Sequence, residues 1–332
     1  MTRDQLRRVA TPTAVVLLCA ALAGCASVVG VSDAPAGTVG GVLQPKRAEA
    51  IAAQVIEDAT RSAASPGPEG DALREVSHTG DALTAARADA RLAVTVSQEV
   101  RDARLLTSAP PVVLAVSRGL GYPRSMVVQT TIARSGLLVL YLLTTPDVRT
   151  PFKIAARAPM LASASVRAFD PLAQGSPGVG DGSGLAVEPD RLTSAYAASL
   201  GYPPSAATGA EPFARDSFAA GVRAVAQSQN EGLNGALTYT QAHSPKAVAG
   251  GLRVAGDRGA LVFTVLERQD TFVNTSPTPF APSAAFTALT GARTVPGAGP
   301  GAERGVRHLL HPGQLPAVAV GAEQHLYAAS AA

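Results

Sequence analysis

Few side chains in this chain of 332 residues could do chemistry, because it holds two Cys, five His and no Trp. The histidines are His78, His243, His308, His311 and His325. His308 and His311 stand three apart, a metal-binding spacing on a helix. Here Leu309-Leu310-His311-Pro312-Gly313 reads as a strand running into a turn, and on a strand positions i and i+3 face opposite sides. His243 precedes Ser244-Pro245 and reads as a solvated histidine at a strand end. Gly182-Ser183-Gly184 lacks the first glycine of a G-x-S-x-G nucleophile elbow. Gly178-Val179-Gly180-Asp181-Gly182 follows no predicted strand and opens no predicted helix, which argues against a phosphate-cradling loop. Asp147, Asp170 and Asp257 fall in turn sequences, so no carboxylate pair can be assigned acid and base roles. Tyr122 and Tyr202 are the candidates for a sugar-stacking platform. These patterns point to no cofactor, no metal and no catalytic residue.

The two cysteines carry the strongest signal. Arg3, Arg7 and Arg8 stand against one acid, Asp4, and the apolar run Ala14 to Ala23 follows. A basic segment followed by an apolar run of 7–15 residues is the pattern of an export signal. The run is too short for a transmembrane helix, which needs about 20 apolar residues. It ends in Leu22-Ala23-Gly24-Cys25, which resembles the bacterial lipobox. The small side chains of Ala23 and Gly24 would let an extended backbone enter a peptidase groove. The Cys25 thiol would take a diacylglycerol, and cleavage between Gly24 and Cys25 would free an amine for further acylation. The expected mature protein therefore begins at Cys25 and is held by its acyl chains at the extracytoplasmic face of the cell membrane. Cys19 would be discarded with the signal, leaving no thiol for catalysis and no disulfide.

Charge agrees with that division. The full chain has 28 Lys and Arg against 25 Asp and Glu, a net charge of +3. Residues 1–24 hold three of those bases and one acid, so 25 bases face 24 acids in the remainder, near +1. The hint of an anionic partner largely disappears, and no basic cluster suggests nucleic acid. Hydrophobic residues make up 46% and charged residues 16% of the chain, so it can bury real cores.

The elements that must position these residues divide the chain into five parts. Residues 1–24 are the signal and 25–44 a small-residue, Gly-rich tether. A first α+β unit over 45–170 opens with Pro45 and a helical face of Ala48, Ile51, Ala52, Val55 and Ala59. Ser65-Pro66-Gly67-Pro68 breaks that helix, and a second helical stretch runs from about Asp81 to Ala103. Strands follow at Val112 to Val116, Met126 to Ile132, Leu137 to Leu143 and Phe152 to Ala156, with the turn sequences of an antiparallel meander between them. Residues 171–187 read as a Gly/Ser/Pro-rich linker. A second α+β unit over 188–332 has helices at Glu188 to Leu200 and Pro212 to Gln229. Its strands are expected at Ala236 to Thr240, Leu252 to Val254, Leu261 to Leu266, Arg307 to Leu310 and Ala317 to Val320, with loops at Thr275 to Pro282 and Pro296 to Gly301. The fold class is α+β, with two tandem helix-plus-antiparallel-sheet units of the cystatin-like or nuclear-transport-factor-2-like roll type. A single two-lobed domain is the alternative. Leu120-Gly121-Tyr122-Pro123 recurs as Leu200-Gly201-Tyr202-Pro203, which reads as coincident turn chemistry.

This layout resembles actinobacterial lipoproteins of unknown function, in which a lipobox and tether precede a two-part α+β region. The segments that carry the likeness are Leu22 to Cys25, Pro111 to Ile154, Phe213 to Phe218 and Leu237 to Leu266. The resemblance implies a lipid-anchored envelope protein and supplies no activity. The function expected is a non-catalytic binding or assembly module for an envelope protein or a small molecule. The alternative is an envelope enzyme with a motif-less acid/base site on the concave face of a roll.

Overall fold

The protein is seen in a computed structural model that describes residues 40–65, 67–97, 110–133, 135–180, 184–204, 212–235, 237–256, 259–274, 283–291, 293, 300–311, 317–326 and 328–331. The signal sequence, Leu22, Ala23, Gly24 and Cys25 lie outside these residues, as do residues 98–103, Asp257 and the loop predicted at 275–282.

Three helices come first: α1 (Pro45–Ala64), α2 (Gly67–Ser77) and α3 (Gly80–Leu92). Pro45 opens α1, where a missing N–H costs nothing. Ala48, Ala52, Val55, Ile56 and Ala59 form its buried stripe. A new helix starts at Gly67, inside the predicted break, so Gly67 and Pro68 open a helix, and α2 was not legible because its only buried residues are Gly70, Arg74 and Ser77. Arg74 takes the place of an apolar anchor by donating to the Ser62 carbonyl at 2.6 Å and to Asp71 at 3.2 Å.

The meander follows as β1 (Val112–Val116), β2 (Arg124–Thr131), β3 (Leu138–Thr145) and β4 (Lys153–Pro159), paired antiparallel in sequence order. β3 is buried on both faces, which explains its unbroken apolar sequence. Val139, Tyr141 and Leu143 join α1 and α3 in one core, while Leu140 and Leu142 face the other way.

The second half contains α4 (Pro189–Ser199), α5 (Ser217–Gly232), β5 (Leu237–Arg253), β6 (Ala260–Asn274), α6 (Ala284–Thr290), β7 (Pro300–His311), β8 (Val318–Glu323) and β9 (Ala328–Ala331). Its sheet runs β5-β6-β7-β8, with β9 also paired to β7. The expected hairpin is present, pairing Leu252 with Leu261 and Arg253 with Ala260. Two short strands expected at 236–240 and 252–254 are instead one 17-residue strand, β5. The segment between them has Pro245 and Gly250-Gly251, which mask a strand in sequence. The ladder absorbs them with register shifts between Pro245 and Ala247 and between Val248 and Gly250. Pro300 and Gly301 begin β7 rather than ending a loop. The short helix α6, unexpected from the sequence, is capped by the Ser283 hydroxyl, which accepts from the Phe286 N–H, and closes on Gly291 at φ 76°.

The α+β class is as expected, with helices followed by an antiparallel sheet in each half. The two sheets also pack on one another. Ala115, Val127, Leu140, Leu142, Ala156 and Ala158 of the first share a buried cluster with Leu252, Leu261, Phe263 and Val320 of the second. From one side to the other the layers are helices, sheet, sheet and helices. The close approach needs small residues. A Cβ on Gly250, at φ +137°, would lie 3.1 Å from the Leu142 side chain. One on Gly321 would meet the Pro159 carbonyl oxygen at 2.7 Å.

The segments read as tether and linker are docked where they are described. Leu43 is buried, and Gly41 bridges to Arg118. Ser176 bridges to Ser117 of the first half and Gly178 to Leu252 of the second. Asp170, expected as a plain turn acid, pairs with Arg118 at 2.9 Å. Asp147 does act as a turn residue, its carboxylate accepting from the Arg149 and Thr150 N–H groups. The repeated Tyr122-Pro123 and Tyr202-Pro203 bonds are both cis.

Candidate functional site

β5 and β6 place six polar or aromatic side chains on the sheet face that carries α4 and α5. The register pairs Tyr239 with Phe272, Gln241 with Asp270 and His243 with Arg268. Alternate positions on a strand share a face, so Tyr239, Gln241 and His243 line up opposite Phe272, Asp270 and Arg268. Leu266, two residues before Arg268, belongs to the core formed with α4 and α5.

The centre of the group is a two-point ion pair. Arg268 donates from Nε to Asp270 Oδ1 at 2.7 Å and from Nη2 to Oδ2 at 2.6 Å. Their side chains are only 13% and 6% exposed, so the pair is largely desolvated and depends on its geometry. Arg268 also donates to the Tyr239 hydroxyl at 3.2 Å and to Gln324 Oε1 at 3.0 Å. The Tyr239 hydroxyl donates to Gln241 Oε1 at 3.1 Å, and Gln241 Nε2 donates to the Leu200 carbonyl at 2.7 Å, at the end of α4.

Position explains the charge states. Burial works against the Arg268 cation, but Asp270 outweighs it and raises the guanidinium pKa. Burial first, then Asp270, pushes the Tyr239 phenol well above its ordinary range, although Arg268 opposes the shift. His243 behaves oppositely. Burial and the neighbouring Arg268 cation lower it to about 4, against a hydrogen bond with the Leu200 backbone. His243 is therefore a half-buried, neutral histidine in the middle of β5, not a solvated one at a strand end. The Ser244-Pro245 sequence that suggested a strand end is spanned by the ladder, which pairs Ser244 with Glu267 and Pro245 with Leu266.

A cleft of about 320 Å³ opens above Arg268, lined by Ser217, Phe218, Val222, Val225 and Gln324. α5 forms its wall. Asp216 caps that helix, accepting from the Ala219 N–H at 2.8 Å and from the Tyr196 hydroxyl at 2.9 Å, and so fixes α5 against α4. The cleft thus has an apolar wall of Phe218, Val222 and Val225 and polar lining from Ser217, Gln324 and Arg268, whose charge is already balanced by Asp270. Tyr202 stands at the edge of β5, stacked on Tyr239 with 5.8 Å between ring centroids. Tyr122 belongs to the β1–β2 loop of the first sheet, where the Arg124 guanidinium lies over its ring, whereas Tyr202 stacks in the second half.

A second charged network joins the two halves. His325 lies between two carboxylates, with Nδ1 2.9 Å from Asp89 Oδ2 and Nε2 3.1 Å from Glu323 Oε2. Glu323 continues to Arg157 at 3.3 Å, which neighbours the buried Tyr141. Burial opposes the His325 charge, but Glu323 and Asp89 overcome it and raise the imidazole to about 9. Burial is likewise the main reason the Tyr141 phenol rises to about 12. The imidazole separates the two acids, so they do not converge on a common point. Among the described residues no group of three or more His, Cys, Asp or Glu is placed to hold a metal. His308 and His311 both fall on β7, and His78 contacts Ser77 Oγ at 2.8 Å.

Sequence reasoning missed the Arg268–Asp270 centre. An R-x-D spacing within a strand was its only local sign, and its partners Tyr239 and Gln241 become visible only with the β5–β6 register. No helix among the described residues is long and apolar enough to cross a membrane. No family model, curated protein or solved structure matches the chain.

Proposed function

We propose that this is a lipid-anchored protein of the cell envelope, held through Cys25, that acts as a non-catalytic binding module. The anchor rests on Leu22-Ala23-Gly24-Cys25, placed directly after a basic and an apolar segment. The binding reading rests on the cleft between α5, Arg268 and Gln324.

One observation carries the choice of binding over catalysis. The groups that could move protons at the cleft are committed elsewhere: Asp270 to both arms of Arg268, and His243 to a neutral state far below neutral pH. General acid–base work needs a group with a pKa near the working pH and within reach of a substrate. What remains is an apolar wall with hydrogen-bonding groups at its base, suited to a small molecule or peptide with an apolar part and one polar end.

The test is a thermal-shift screen of the detergent-solubilised lipidated protein against envelope extracts and their fractions. A ligand at 100 times its Kd should stabilise the fold by about 2.7 kcal/mol. Val225→Glu should abolish that shift without harming the fold, since Val225 is 59% exposed. A ligand that protects V225E as well as wild type binds elsewhere, and turnover of a ligand by wild type would replace the reading with an enzymatic one.

A further inference from the structure

The described chain enters the fold at one end of the first sheet. The Gly119 N–H donates to the Gly40 carbonyl at 3.3 Å, and the Val42 N–H donates to the Ser117 carbonyl at 3.2 Å. Gly41 is bridged antiparallel to Arg118 between them. Followed backward from Val42 to Gly40, the chain therefore heads toward the β1–β2 loop tip.

That tip is apolar and exposed. Leu120 is 77% and Tyr122 38% exposed. Arg124 ties both to the start of β2, donating to the Leu120 carbonyl at 3.5 Å and lying 4.4 Å from the Tyr122 ring centroid. The register pairs Arg124 with Thr145, which puts the β3–β4 loop at the same end. That loop adds Val148, 46% exposed, and the exposed Arg149. Single exposed apolar residues are ordinary on a protein surface. Here three from two loops coincide with the point where the chain enters.

We infer that this end is a membrane-contact surface: Leu120, Tyr122 and Val148 seat in the interfacial layer of the bilayer that holds the Cys25 acyl chains. The inference rests on the lipid-anchor reading. Fifteen peptide steps separate Cys25 from Gly40, a reach of at most about 54 Å at ~3.3–3.6 Å per residue. The described chain begins at this tip, so the stretch leading back to Cys25 starts there. The chemistry suits the site. A tyrosine presents an apolar body with a polar hydroxyl, the combination favoured at headgroup level, and an aliphatic side chain beside it reaches the acyl boundary. The exposed Arg149 adds a cation to this end for headgroup phosphates, beside the exposed Asp147 carboxylate of the same loop.

The test places the purified mature protein in phosphatidylcholine–phosphatidylglycerol vesicles. An environment-sensitive fluorophore is attached at Leu120→Cys and, as a control, at Ser135→Cys in the exposed turn at the opposite end of the sheet. Quenchers carried on the lipid acyl chains should quench the probe at 120 several-fold more than the probe at 135. Adding Tyr122→Ser and Val148→Ser should bring the signal at 120 down to the control. Protein that floats with the vesicles but shows equal quenching at both positions overturns the inference. So does a blue-shifted probe at 120 that the lipid quencher fails to reach, which would mean that a second copy or another protein covers the tip. Protein that neither floats nor carries acyl mass on Cys25 refutes the anchor, and the contact surface with it.

Discussion

The imidazoles of His325 and His243 should pull stability in opposite directions with pH. His325 is raised to about 9 by Glu323 and Asp89, above the ordinary 6.5. Its contribution is full below pH 6.5 and is lost as pH rises through 9. His243 is lowered to about 4 by burial and Arg268. Its neutral form suits the fold, so that stability is present above pH 6.5 and is lost as pH falls toward 4. Urea-midpoint measurements from pH 4 to 9 should peak near 6.5, and His325→Gln should flatten the alkaline limb. An H325Q variant that keeps the full slope between pH 6.5 and 9 would show that the Asp89–His325–Glu323 contact does not hold the proton. At the cleft, Asp270→Asn leaves a largely buried guanidinium without its counter-charge and should cost about 3–5 kcal/mol in denaturant unfolding. Neither network could be read along the chain. His325 meets Asp89 from 236 residues away, and His243 meets Arg268 only through the register of a strand whose middle contains a proline.

At the scale of elements, the clearest expectations came from positions where local preference and burial agree. Pro45 and Pro189 begin helices, and the Val112 to Ala156 stretch is the meander its turn residues indicate. Elements that lean on polar anchoring, such as α2 with its buried Arg74, give no apolar stripe to read. The long strand β5 was obscured for the same reason, since its paired middle is exposed and holds Pro245 and Lys246. The α5 cap offers a direct check. Asp216→Ala removes the acceptor for the Ala219 N–H and for the Tyr196 hydroxyl, and should lower stability by about 1 kcal/mol or somewhat more by denaturant melt. Loss much below that would mean that packing against α4, rather than the cap, fixes the helix. Leu142→Ala, at a fully buried site facing Gly250, should cost about 2–5 kcal/mol.

At the scale of the whole molecule, the two halves meet through an apolar layer between their sheets and through Lys246–Asp81 and His325–Asp89, which tie β5 and the C-terminal region to α3. Thermal unfolding followed by near- and far-ultraviolet dichroism should therefore give one coincident transition. Two separated transitions would mean that the layer between the sheets is not a shared core. The sequence pattern announced two similar halves because each has its own helix and strand periodicities. It could not announce their packing, because the inward residues of both sheets are the same Ala, Val and Leu that any sheet face would bury. Function follows the same division. The proposed lipobox is a local motif of the kind a sequence can suggest by itself, whereas the cleft is assembled from α5, β6 and the segment after β8 and was not legible. The most direct test of the account is the intact mass of the purified mature protein, together with membrane fractionation of wild type and Cys25→Ala. The account predicts a chain beginning at Cys25 that carries diacylglycerol and extra acyl mass and sediments with membranes, and a C25A variant that does not acquire that mass. An unmodified Cys25, or a C25A protein held in the membrane as firmly as wild type, would contradict it.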